Sequence, residues 1–132
     1  MTILSNETIN FNKNITINFD GGNLTSDAGL LAYKAFDDKI GLSKSIKNIF
    51  PNEKDLIHQT ADVFKQVIYQ TIAGYHSDQL SNELITDPAF RSIFNKKLAT
   101  QSTISRRLYN QNKKVLNQLL SINKNCLIKV IN

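Results

Sequence analysis

The sequence predicts a mainly α-helical domain with a short N-terminal β-hairpin and a helix-turn-helix-like C-terminal part. Three observations carry this. Apolar residues recur at helical spacing over residues 60–75 and again from Ile104 onward. Strict alternation is confined to the first 19 residues, where Ile9, Phe11, Ile15, Ile17 and Phe19 all take odd positions. Capping and turn residues punctuate the chain between these stretches.

The N-terminal alternation reads as two short strands, with Asn12-Lys13-Asn14 as the turn between them. Asp20-Gly21-Gly22-Asn23 closes the second strand and ends a first unit, residues 1–24. Residues 25–132 read as one helical, DNA-binding-like domain. Thr25 or Ser26 caps a helix carrying Leu30, Leu31, Tyr33 and Phe36, which stops near Gly41. Ser43 caps a short helix with Ile46, Ile49 and Phe50, halted by Pro51. After a loop at 52–58, a long helix from Thr60 to Tyr75 places Ala61, Phe64, Val67, Ile68, Ile72 and Tyr75 on one broad face, with Gly74 weakening its end. Two short helices, at 80–85 and 88–94, flank Asp87-Pro88. A loop at 95–101 precedes a helix capped by Ser102 and running toward the C-terminus, with a break expected around Asn123 to Asn125.

Charge is split along the chain. Residues 1–87 hold seven basic and all eleven acidic residues, a net −4. From Pro88 onward there are nine basic residues and no acidic one, a net +9. A polyanion is the natural partner of that end. The segment LATQSTISRRL, residues 98–108, sharpens the reading, because hydroxyls at a helix N-terminus reach phosphates and adjacent guanidiniums add forked donors. Gln101, Ser102, Thr103, Ser105, Arg106 and Arg107 are the candidate DNA-facing residues, supported by Lys96, Lys97, Lys113 and Lys114, with Tyr109 beside them. Ile104 and Leu108, four apart, would anchor the helix to the core. The plainer reading is a solvated basic helix in an ordinary bundle.

Other chemistry is weakly signalled. His58 and His76 flank the long helix without metal-ligand spacing, and Cys126 sits among Leu127, Ile128 and Val130 as a small buried hydrophobe. Gly21-Gly22 has neither the lysine of a P-loop nor the third glycine of a dinucleotide fingerprint. Asp20 reads as a turn former. The lone cysteine, the N-terminus without a basic and apolar leader, and the absence of a long apolar run fit a cytoplasmic protein.

Four segments in order, INFDGGNLTSDAGLL (17–31), KIGLSKSI (39–46), VIYQTIAGYHSDQLSNELITDPAFRSIF (67–94) and LATQSTISRRLYN (98–110), resemble the N-terminal region of bacterial insertion-sequence transposases of the DDE type, the group commonly called the "thirteen-eighty" family. The resemblance implies DNA transposition, with transposon-end DNA as the partner. It also implies a ribonuclease-H-like catalytic domain with three metal-binding carboxylates. That domain is expected to lie outside this chain, so the chain itself is expected to be non-enzymatic and without cofactor. A divalent metal is expected only in the catalytic domain. The contrasting expectation is a helical interaction module that docks a catalytic core or another copy, with self-association through the hairpin.

Overall fold

A computed structural model describes residues 7–9, 12–17, 25–54 and 56–132, and helices dominate it. Strand β1 (Glu7–Ile9) pairs antiparallel with β2 (Asn12–Ile17), setting Glu7 opposite Ile17 and Thr8 opposite Thr16. The register shifts between Thr8 and Ile9, which brings Ile9 opposite Asn12. Asn12, Lys13 and Asn14 therefore belong to a strand and do not form the expected turn. The Asp20–Asn23 turn lies outside the described residues.

Helix α1 (Gly29–Ile40) ends at Gly41, whose φ of 77° is open to glycine at little cost. The Gly41 N–H donates to the Asp37 carbonyl at 2.7 Å, and α2 (Leu42–Ile49) starts at once. Ser43 does not cap α2. Its N–H, at 2.9 Å, and its hydroxyl both donate to the carboxylate of buried Asp37, which also accepts from the Tyr69 hydroxyl at 2.7 Å. Three donors from two other elements hold that charge inside the fold.

Helix α3 (Thr60–Ile72) is the central element, packed on α2 and on α6. It stops three residues before the expected Tyr75. Gly74 takes a φ of 94°, its N–H donates to the Thr71 carbonyl, and the Tyr75 N–H reaches back to the Gln70 carbonyl at 2.8 Å. This is a Schellman closure. A 3-10 turn at Asp78–Leu80 leads into α4 (Ser81–Leu84). Helix α5 (Pro88–Phe94) has Pro88 in its first turn and Asp87 as its cap, the carboxylate accepting from the Phe90 N–H at 3.0 Å. Left-handed Asn95 ends it.

Helix α6 (Gln101–Tyr109) starts after Thr100, so Ser102 lies inside the helix and is not its cap. The chain breaks at Asn110 to Asn112, and α7 (Lys113–Ile131) runs unbroken through the expected break at 123–125. Asn112 caps α7 by accepting from the Val115 N–H at 3.0 Å.

The main core joins α1, α3, α4, α5 and the 95–100 link through Leu30, Leu31, Tyr69, Leu84, Phe90, Ile93 and Leu98. Tyr69 meets Tyr33 and Phe94 edge-on, with centroids 5.0 and 5.6 Å apart. A second cluster, Val63, Ala99 and Ile104 with Val67 and Leu108, fixes α6 to α3. Ile104 and Leu108 thus anchor α6 as their spacing predicts.

Candidate nucleic-acid interface

The placement of α6 depends on one buried side chain of α3. Gln66 acts as a peptide-group mimic: its Oε1 accepts from the Ala99 N–H at 2.8 Å and its Nε2 donates to the Ala99 carbonyl at 2.9 Å. Both residues are almost wholly buried, so these two backbone groups have no access to water. Leu98 and Ala99 are pinned, and the link delivers Thr100 to the start of α6. Thr100, Ser102 and Thr103 then place their hydroxyls together at the helix N-terminus.

The residues expected to face DNA divide into two sets. Gln101 and Ser105 turn inward toward Asp78, the Ser105 hydroxyl donating to its carboxylate at 2.6 Å and Gln101 Nε2 at 3.4 Å. The Ser105 bond, joined by Gln101 and backbone N–H groups, holds the Asp78 carboxyl below its usual range against the opposing effect of desolvation. The Gln101 N–H also donates to Asn82 Oδ1. Ser102, Arg106 and Tyr109 instead follow one another at four and three residues on the open face of α6, with Tyr109 88% exposed. Lys113 and Lys114, in the first turn of α7, are exposed as well. Thr103 is half-buried beside the N-terminus.

The remaining cations lie around the corner. Arg107 stands 3.7 Å from the Glu53 carboxylate and is only 24% exposed at its side chain, so it is partly neutralised within the fold. Lys96 pairs with Asp62 at 3.0 Å. Lys97 lines a notch together with His58, Asp62, Lys65 and Lys96. Lys65 is spent on aromatic faces, 5.5 Å from the Tyr69 centroid and 5.0 Å from that of Phe94. The sequence offered no sign of the roles of Asp78 and Gln66, because their partners Ser105 and Ala99 lie 27 and 33 positions away.

Helix α7 shows two apolar stripes. Val115, Leu119, Ile122 and Cys126 face α1 and α2, and the Lys129 ammonium donates to the Ile40 carbonyl at 2.9 Å. Leu116, Leu120, Leu127 and Val130 form a second stripe one residue along, open to water, with Leu120 61% exposed. Among the described residues no helix is long and apolar enough to cross a membrane.

The open face of α6 thus carries Ser102, Arg106 and Tyr109, and its opposite side is anchored by Ile104 and Leu108. The family described as Transposase DDE domain group 1 matches residues 7–132, and the chain belongs to that family. No curated protein matches the chain. No solved structure does either. The family assignment supports a role in DNA transposition and overturns one expectation. DDE domains are catalytic, and the match runs through nearly the whole chain, so the reading of this chain as non-enzymatic does not stand. A DDE centre holds divalent metal on clustered carboxylates. Among the described residues no three His, Cys, Asp or Glu side chains form such a group. The carboxylates of Asp27, Asp37, Glu53, Asp78 and Asp87 are each bonded to donors within the fold. The described residues therefore do not fit a metal centre.

Proposed function

We propose that this chain binds transposon-end DNA for a transposase of the bacterial "thirteen-eighty" insertion-sequence group. In this reading α5 and α6 work as a helix-turn-helix-like unit, with α6 presented to the duplex. The observation that carries it is the exposure of Ser102, Arg106, Tyr109, Lys113 and Lys114, in a stretch of chain that contains no acidic residue after Asp87. Ser102 and Arg106 are placed to meet base edges, while Lys113 and Lys114 supply phosphate contacts. The Gln101 and Ser105 side chains serve to fix α6 against Asp78, which leaves their neighbours to do the reading. DNA contact by this surface needs no cofactor, and its setting is the bacterial cytoplasm. The test is binding of a transposon-end duplex against an unrelated duplex of equal length. Arg106→Ala should narrow the difference between them, whereas Lys113→Ala with Lys114→Ala should weaken both alike. Equal affinity of the wild-type chain for both duplexes would remove the specific part of the reading.

The outer stripe of α7 favours a second, compatible role. Large apolar side chains along one face of a 19-residue helix fit docking on a ribonuclease-H-like core. All four charged residues of α7 are lysines, which disfavours pairing with the same helix of another copy.

A further inference from the structure

The notch beside α6 carries a charge excess that the fold leaves unbalanced. His58 lines it with Lys96 and Lys97 from the α5–α6 link and Asp62 from α3. Arg107 of α6 acts on the same imidazole. Two of these cations have an acidic neighbour, Lys96 with Asp62 and Arg107 with Glu53. Lys97 is exposed and has no carboxylate within salt-bridge distance among the described residues. Burial, together with Lys97, Arg107 and Lys96, holds the His58 pKa below its usual range, and only Asp62 opposes them. These neighbours disfavour the charged imidazole in the free protein, and Asp62 is the one carboxylate among the residues that line the notch.

We propose that this notch is a backbone-phosphate site of the DNA interface, in which one phosphodiester is held by Lys97 and the protonated imidazole of His58. The proposal rests on the DNA-binding reading above and extends it to the α5–α6 link, which supplies Lys97. The phosphodiester accepts from the Lys97 ammonium and reverses the local field around His58. His58 then takes one proton from solvent and donates to a phosphate oxygen. Duplex binding is thereby coupled to uptake of one proton, and the affinity rises as pH falls.

The experiment uses the full chain and a 20-base-pair duplex. The His58 titration is followed by NMR with and without saturating duplex, and affinity is measured by fluorescence anisotropy between pH 5.5 and 8. The His58 pKa should rise by about one unit or more in the complex, because a phosphate replaces unbalanced cations as its neighbour. Affinity should fall by up to about tenfold per pH unit between the free and bound values, as release of one proton requires. His58→Gln should lose this dependence, its affinity staying flat between pH 5.5 and 8. Lys97→Ala should raise the His58 pKa in the free protein and weaken binding at all pH values. Duplex binding that persists with an unmoved His58 pKa, or with the same pH dependence in His58→Gln, would overturn the phosphate site and leave the DNA reading standing. Absence of duplex binding at any pH and low salt would overturn the DNA reading itself, and the site with it.

Discussion

Replacing Gln66 by leucine tests how α6 is held in place. The substitution keeps side-chain length close to native but removes both bonds to Ala99, leaving its N–H and carbonyl buried without partners. Each orphaned backbone group costs about 1–3 kcal/mol, and the leucine gains some apolar contact, so a net loss of about 3 kcal/mol follows. With a urea dependence of about 1.5 kcal/mol per molar, the unfolding midpoint should drop by about 2 M. Gln66→Glu separates the two bonds. Its ionised carboxylate can accept from the Ala99 N–H but opposes the Ala99 carbonyl, whereas its protonated form can donate to that carbonyl. The folded pKa of this glutamate should therefore lie above its unfolded value. Stability would be fully present below the unfolded value and lost as pH rises through the folded one. A midpoint for Gln66→Leu within about 0.3 M of wild type would refute the claim that this clamp fixes the start of α6.

Three further outcomes follow from the packing. Tyr69→Phe removes one of the donors that hold the buried Asp37 carboxylate and should cost about 1.5–3 kcal/mol in urea unfolding, as expected for a hydrogen bond to a charge. Glu53 feels burial, which raises its pKa, but the Thr60 N–H, the Thr60 hydroxyl and Arg107 together hold it below the usual range. Its contribution to stability is therefore present above the unfolded pKa and lost as pH falls through the folded one, so Glu53→Gln should flatten the acid limb of a pH–stability curve. Leu120→Ser combined with Leu127→Ser alters only the open stripe of α7. It should change unfolding free energy by less than about 0.5 kcal/mol for each residue, with a larger loss meaning that the stripe is covered within this chain.

Local signals made much of the fold legible. Gly41, Gly74, Asp87-Pro88 and Asn95 mark helix ends through their own backbone preferences, and those ends lie close to where the sequence places them. The start of α6 was not legible to the residue. Thr100, Ser102 and Thr103 are all competent caps, and the choice among them is made by Gln66, 33 positions before Ala99. The polar run Asn123-Lys124-Asn125 predicts a break that the structure instead puts at Asn110-Gln111-Asn112, a run just as polar. Only burial distinguishes them: Ile122 and Cys126 continue the inner stripe of Val115 and Leu119, which keeps α7 intact. At the candidate interface the sequence identified the basic helix but not its rotation. Asp78 draws Gln101 and Ser105 inward, Glu53 draws Arg107 aside, and Arg106 remains on the open face. The family match agrees with the DDE-type resemblance of the four segments and corrects the expectation that the chain lies outside the catalytic domain.

The most direct test of the central claim is the salt dependence of duplex binding by the wild-type chain and by a variant with Arg106→Ala, Lys113→Ala and Lys114→Ala. If the basic end touches about four phosphates, the log–log slope for wild type should lie at roughly −3 to −4, and removal of the two phosphate contacts of Lys113 and Lys114 should bring it to about −2. A wild-type slope near zero, or an unchanged slope and affinity in the triple variant, would contradict the assignment of this surface to DNA.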